Sequence, residues 1–214
     1  MRIFLVLLIP ILVVFGSVRL LATDAYLAFE YGKTSFPPDV YGFTPQQRFE
    51  LASTNIHYVR AHLPDNILAV QALDGTPIYN SREVSHMADV QSVFQAILRV
   101  WQVAFVLLLL LGFFLWQKGE HRVFAAAIQS GGFLTSGMIL TIAVLAIFAW
   151  QFWFNVFHLF FFQPGSWLFS YSDTLIRLFP VEFWFDATLT ISILSLIGRQ
   201  WRGTLQGSPH TIKL

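Results

Sequence analysis

The chain has 214 residues and not one cysteine. That excludes disulfides, thiolate metal ligands, thioether-linked haem and any cysteine nucleophile. It also removes the commonest route to a covalent acyl-enzyme in acyl transfer. Charge is scarce. Asp, Glu, Lys and Arg make up 12% of the chain, about half their share in soluble domains. The formal net charge is +1, with no basic tract and no Gly-rich loop to cradle phosphate, so nucleic acid is not an expected partner. No helix carries an H-x-x-x-H or H-E-x-x-H spacing, which leaves metal binding without a motif. His86, His158 and Asp89 would be its only ligand set. Ser85, Ser166, Ser170 and Ser172 are available, but none sits in a G-x-S-x-G context. There is no internal repeat and no low-complexity linker.

Apolar residues fill the gap. They make up 56% of the chain, and the mean hydropathy is +0.61. A bilayer core ~30 Å thick needs about 20 apolar residues per crossing helix. The sequence predicts a membrane α-helical fold: a four-helix transmembrane bundle with a small mixed α/β extracytoplasmic domain. The spans fall at residues 1–21, 96–117, 133–162 and 181–198. The domain occupies 22–95, a cytoplasmic loop 118–132, an extracytoplasmic loop 163–180 and a cytoplasmic tail 199–214. The first span reads as an uncleaved signal anchor, because Pro10 interrupts it, Arg19 follows it and no A-x-A cleavage pattern appears. Arg19 is expected to snorkel to headgroups, the sharper alternative being a lipid or carboxylate ligand.

Orientation follows from the basic residues of short segments. Arg2, Lys118, Arg122, Arg199 and Arg202 flank one side, whereas residues 163–180 carry only Arg177. Both termini are therefore expected in the cytoplasm. Aromatics, 17% of the chain, crowd between Trp150 and Trp184, as an interfacial belt requires.

Within residues 22–95, Thr44-Pro45-Gln46-Gln47 predicts a helix start: an N-cap, a proline in the first turn and a capping box. That helix should reach Arg60. Leu68–Leu73 and Thr76–Tyr79 flank Asp74-Gly75, which predicts a hairpin with a type I′ turn. Pro77 marks its strand as an edge. The second span is expected to follow Ser85 as N-cap.

Of six histidines, two stand at span ends. His86 precedes the second span and His158 follows the core of the third. Neighbouring antiparallel spans bring these ends to one leaflet. Asp89 and Asn155, each about one turn away, are candidates to orient the imidazoles. An unbroken helix from His86 to Trp116 would measure ~45 Å, so tilt or a break near residues 91–95 is needed to lower His86 to the surface. The plain alternative is that both are interfacial residues with polar tips in headgroup water. Asp186, one turn inside the fourth span, is expected to pair structurally with Arg177 or Arg19. Ionisable groups at membrane depth are costly and tend to be functional.

Two blocks carry a resemblance. His86-Met87-Ala88-Asp89-Val90 is similar to an H-M-x-D-V signature. Phe157–Phe162, then Trp167, then Asp173-Thr174-Leu175-Ile176-Arg177-Leu178-Phe179-Pro180 is similar to the second block of the same family. Asp39–Thr44 with Arg48 is a looser match. The family resembled is that of the lipoprotein intramolecular transacylases, four-span bacterial membrane proteins. The resemblance implies that the sn-2 acyl chain of an S-diacylglyceryl cysteine moves to that cysteine's α-amino group, giving lyso-form lipoprotein. It implies His86 and His158 as the catalytic pair, with Asp89, Asn155, Asp173, Asp186, Arg19 and Arg177 as supporting candidates. The partners are then a diacylated bacterial lipoprotein and membrane lipid. The expectation includes no cofactor, no metal, a monomeric chain and a site at the outer leaflet of the cell membrane. The competing reading is a non-catalytic membrane accessory or lipid-binding protein.

Overall fold

The computed structural model describes residues 1–64 and 66–197. The chain begins with α1 (Arg2–Leu21), whose Pro10 is buried mid-helix. Among the described residues, three helices are long and apolar enough to cross a bilayer: α1, α5 (Ser81–Gln117) and α6 (His121–Phe148). Between α1 and α5 come α2 (Asp24–Tyr31), α3 (Pro45–Ala61), the short α4 (Asn66–Ala69) and a hairpin of β1 (Ala72–Leu73) and β2 (Thr76–Pro77). After α6 follow α7 (Trp150–Phe161), α8 (Thr174–Leu178) and α9 (Val181–Ile197). The fold is thus mostly helical. Gly198 and the tail that follows it lie outside the described residues.

The spans announce themselves by what they expose. Val103, Val106, Leu109, Leu110, Phe113 and Trp116 of α5 all face outward, each more than half exposed. In water such a face would be a large apolar patch demanding a cover. In lipid it needs none. The inner faces pack through small residues. A Cβ placed on Gly131 of α6 would meet Ile9 Cβ at 2.6 Å and the Val6 carbonyl at 2.8 Å. Backbones approach this closely only where the side chain is hydrogen. Trp101 of α5 donates to the Leu12 carbonyl at 3.0 Å, adding a polar tie between α5 and α1.

The segment between α1 and α5 is a mostly helical head whose only strands among the described residues are the two of a short hairpin. The α3 start is as expected: Thr44 Oγ1 accepts from the Gln47 amide, and the Gln47 side chain accepts from the Thr44 amide. The hairpin is shorter than expected, because Leu68 belongs to α4. Its turn is of the expected kind, with positive φ at Asp74 (52°) and Gly75 (80°). Ala72 pairs with Pro77 and Leu73 with Thr76.

Helix α5 departs from expectation at its start. Asn80, not Ser85, is the N-cap, in a capping box with Glu83. The helix then runs 37 residues without a break, about 55 Å at 1.5 Å per residue. Its first turns therefore belong to the head. Gln91 and Gln95, where a break was one of two alternatives, instead serve α3. Gln91 donates to the Tyr58 and Leu63 carbonyls, and Gln95 to those of Val59 and Arg60. The Tyr58 carbonyl also accepts from the His62 and Leu63 amides, and the Val59 and Arg60 carbonyls belong to the last turn of α3, where intrahelical donors run out. The α5–α6 connection is Lys118–Glu120, with residues 121–132 helical. The long aromatic helix is split at Ala149, which takes φ −145° and ψ 46° and separates α6 from α7.

One apolar core joins the head to the bundle. Leu27, Ala52, Tyr58 and Leu68 of the head pack with Met87 and Phe94 of α5 and with Leu175, Leu178 and Phe183 near α8 and α9. Polar ties fix α8 to the head. Glu83 accepts from the Leu175 amide at 2.8 Å and from the Asn80 amide at 2.9 Å. Arg48, buried, donates to the Arg177 and Pro37 carbonyls at 2.6 Å each. It stacks on Tyr31 and Phe36.

Candidate active site

His86 lies on the second turn of α5 and His158 near the end of α7. The structure brings both of them beside one ring. Phe162 lies 5.1 Å from His86 and 5.7 Å from His158, centroid to centroid. The two imidazoles are close enough to interact electrostatically. Phe169 closes over His86 at 5.4 Å. Trp167 and Phe154 flank His158 at 5.1 and 4.0 Å. Two half-buried polar rings therefore sit among aromatic side chains.

The α7 backbone sets the tautomer of His158. Its Nδ1 is 2.8 Å from the Phe154 carbonyl oxygen. A carbonyl can only accept, so Nδ1 carries the hydrogen and the neutral ring presents a bare Nε2. That is the arrangement of a general base. His86 is different. Its Nδ1 is buried with no hydrogen-bond partner among the described residues.

The supporting candidates scatter. Asp89 is exposed and makes no hydrogen bond to His86. Asn155 accepts from Gln151 at 3.4 Å, and the Phe154 carbonyl takes the place expected for it on His158. Asp173 accepts from the Ser170 amide at 2.8 Å and from Asn80 at 3.5 Å, holding the turn before α8. Arg177 grips Asp39 and lies 3.5 Å over the Phe43 ring. Arg19 stacks over Trp101 at 5.3 Å. The expected Asp186 pairing with Arg177 or Arg19 is corrected: its partner is Lys33 at 2.8 Å, which also binds Glu30. Asp173, Arg177 and Asp186 tie the head to the segments packed on it, and none of the six candidates is hydrogen-bonded to either imidazole.

Some neighbours of the histidines escaped sequence reasoning. Phe162 and Phe169 read there only as belt aromatics. Arg82 went unremarked, yet it donates to the Leu168 carbonyl at 2.7 Å and lies over Phe169. It thereby ties the loop to α5 one turn before His86. Its spacing of four from His86 was the available signal. Two clefts in the head share Pro77, Ile78 and Thr174, and neither is lined by a histidine. No group of three or more metal-ligating side chains occurs among the described residues.

The fold so described is that of a helical, membrane-integral protein with histidines boxed by aromatics where the head meets the bundle. Residues 3–184 match the family model for the lipoprotein intramolecular transacylase Lit, and the chain belongs to that family. It is therefore a membrane acyltransferase of lipoprotein modification. An uncharacterized protein of Aquifex aeolicus is 31% identical over 202 residues, covering 90% of this chain and 87% of that one. The fold is similar to the solved structure of the lipoprotein intramolecular transacylase Lit from Bacillus cereus. That match has a TM-score of 0.70 at 19% identity, over 92% of this chain and 90% of the other. A histidine-substituted form of the same Bacillus cereus protein matches with a TM-score of 0.56.

Proposed function

We propose that this chain moves the sn-2 acyl chain of the S-diacylglyceryl cysteine of a bacterial lipoprotein onto that cysteine's own α-amino group. The observation that carries the reading is the pair of imidazoles packed against one ring, Phe162, one with its tautomer set by the Phe154 carbonyl. The family and the fold support it.

The α-amino group has a pKa of about 7.7–8 and attacks only when neutral. Its nitrogen bonds to the ester carbonyl carbon, and His158 Nε2 takes the proton released. The carbon–oxygen bond to glycerol then breaks. The glyceryl oxygen needs a proton, and the imidazole pair beside Phe162 returns to it the one taken from the amine. The net movement is one proton from nitrogen to oxygen, so the pair begins and ends neutral. Such acid–base help is worth ~10²–10⁴ in rate. Amine and ester belong to one molecule, so folding the substrate into contact contributes up to ~7–11 kcal/mol more. The lack of cysteine is consistent with direct transfer.

In this reading α9 is the fourth crossing, both termini are cytoplasmic, and the histidines lie at the outer leaflet of the cell membrane. The test is mass spectrometry of a lipoprotein's N-terminus from cells with and without the protein. Expression should convert a diacylglyceryl N-terminus to an N-acyl, monoacylglyceryl one of unchanged total mass. Fragments showing both acyl chains still on glycerol would overturn the assignment.

A further inference from the structure

Between α7 and α8 the chain turns at Gly165, whose φ is +85°. The turn returns Trp167 to lie 5.1 Å from His158 with the rings tilted by 33°. The indole is only 8% exposed. Its Nε1–H is a donor and never an acceptor, and it is buried without a hydrogen-bond partner among the described residues. Other tryptophans show what is usual. Trp101 donates to the Leu12 carbonyl at 3.0 Å and Trp184 to the Phe179 carbonyl at 3.1 Å. A buried indole N–H ordinarily finds such a partner, and leaving it unpaired costs stability. Trp167 departs from that pattern beside the imidazole with a bare Nε2. Two further buried polar atoms without a partner, His86 Nδ1 and Ser166 Oγ, fall in the same region. The rings around the two imidazoles, Phe154, Phe157, Phe162 and Phe169, offer no side-chain hydrogen bond.

We propose that the Trp167 Nε1–H is the hydrogen-bond donor to the carbonyl oxygen of the acyl group being transferred. The inference rests on the reaction proposed above. When the amine nitrogen adds to the carbonyl carbon, the carbon–oxygen π pair moves onto the carbonyl oxygen. A tetrahedral centre with one negative oxygen results. When the bond to glycerol breaks, that pair returns to re-form the carbonyl, and the glyceryl oxygen leaves with the proton carried by the histidines. A fixed N–H aimed at the carbonyl oxygen binds it more tightly as its charge grows, which lowers the barrier. An indole suits this better than the Ser166 hydroxyl. Its N–H direction is fixed by ring packing, whereas a hydroxyl rotates.

The test uses the full-length protein and a synthetic S-diacylglyceryl-cysteinyl peptide, with lyso-form product followed by mass spectrometry. Trp167→Phe keeps a ring and removes the donor. It should lower kcat by about 10²–10³, with KM and the thermal midpoint near wild type. Binding of a diether analogue, which has no ester carbonyl, should be unchanged. A merely structural tryptophan would instead shift the midpoint and weaken binding of the diether. If Trp167→Phe fails to fold, 3-benzothienylalanine at position 167 keeps the bicyclic shape without N–H and should show the same loss in kcat. Near-normal kcat in a folded donor-less variant, with His158→Ala inactive, would overturn the proposal and leave the reaction standing. A wild-type protein that makes no lyso-form product would overturn both.

Discussion

Arg177 holds Asp39 with two prongs, Nε to Oδ1 at 2.9 Å and Nη2 to Oδ2 at 3.0 Å. The pair joins the loop before α3 to the short helix α8, two segments far apart in sequence. The Asp39 side chain is almost fully enclosed. Burial pushes its carboxyl up, but the Arg177 guanidinium and the amides of Phe43 and Tyr41 outweigh that. Together they hold it below the usual carboxylate value.

Removing one partner of such a pair leaves the other buried and unpaired, at a cost of ~3–5 kcal/mol. Asp39→Ala and Arg177→Ala should each lower the thermal midpoint in detergent markedly, and the double variant should be less than additive. The pH sign follows from the depressed carboxyl. Its stabilisation is fully present above the unfolded value of about 3.9 and is lost as pH falls through the lower folded value. Wild type should therefore lose more stability on acidification than Asp39→Asn, which has nothing there to protonate. Equal acid sensitivity of the two would remove this pair from the account.

Gly131 and Gly132 make a matched pair for the bundle. A methyl on Gly131 would strike Ile9 and the Val6 carbonyl at under 3 Å, whereas a methyl on Gly132 meets nothing within 4 Å. Overpacking of this kind costs about 1–3 kcal/mol. In a helix, alanine is otherwise favoured over glycine by ~1 kcal/mol. Gly131→Ala should therefore destabilise the protein, and Gly132→Ala should be neutral or stabilising. Thermal unfolding of the two variants side by side checks this. Equal midpoints would mean that α1 and α6 do not approach as closely as described.

What the sequence disclosed was mostly local. Thr44-Pro45-Gln47 and Asp74-Gly75 could be read because caps and turns are set by a few adjacent residues. Asn80-Ser81-Arg82-Glu83 obeys the same capping rule, yet Ser85 stood closer to the apolar run and drew the helix start to itself. The break at Ala149 carries no proline or glycine, so no local signal marks it. Lys33 and Asp186 are 153 residues apart, and only the docking of the head on α9 brings them together. The site divides in the same way. His86 and His158 were legible as polar residues at helix ends. Phe162 beside both of them and Trp167 against His158 depend on how the loop after α7 folds back, which residue spacing does not encode.

The histidine pair supplies the sharpest test of the reaction. His86 and His158 share Phe162 as a neighbour and carry one proton between them in the proposed transfer. Residues that act as a unit are grossly non-additive. His86→Ala and His158→Ala should each remove nearly all N-acylation, a loss of about 10²–10⁴, and the double variant should be little worse. Neither ring makes a side-chain hydrogen bond that ties one helix to another, so the single variants should still fold and insert. His57 pairs with Asp24 at 2.9 Å on an exposed face, and such surface pairs contribute ~0–1 kcal/mol. His62 ends α3 in a left-handed conformation with φ 53°, where asparagine is well tolerated. His57→Ala and His62→Asn should therefore keep near-normal activity. The measurement is the yield of lyso-form product per amount of folded protein. If either His86→Ala or His158→Ala yields product near the wild-type level, that imidazole is an interfacial residue and takes no part in the transfer.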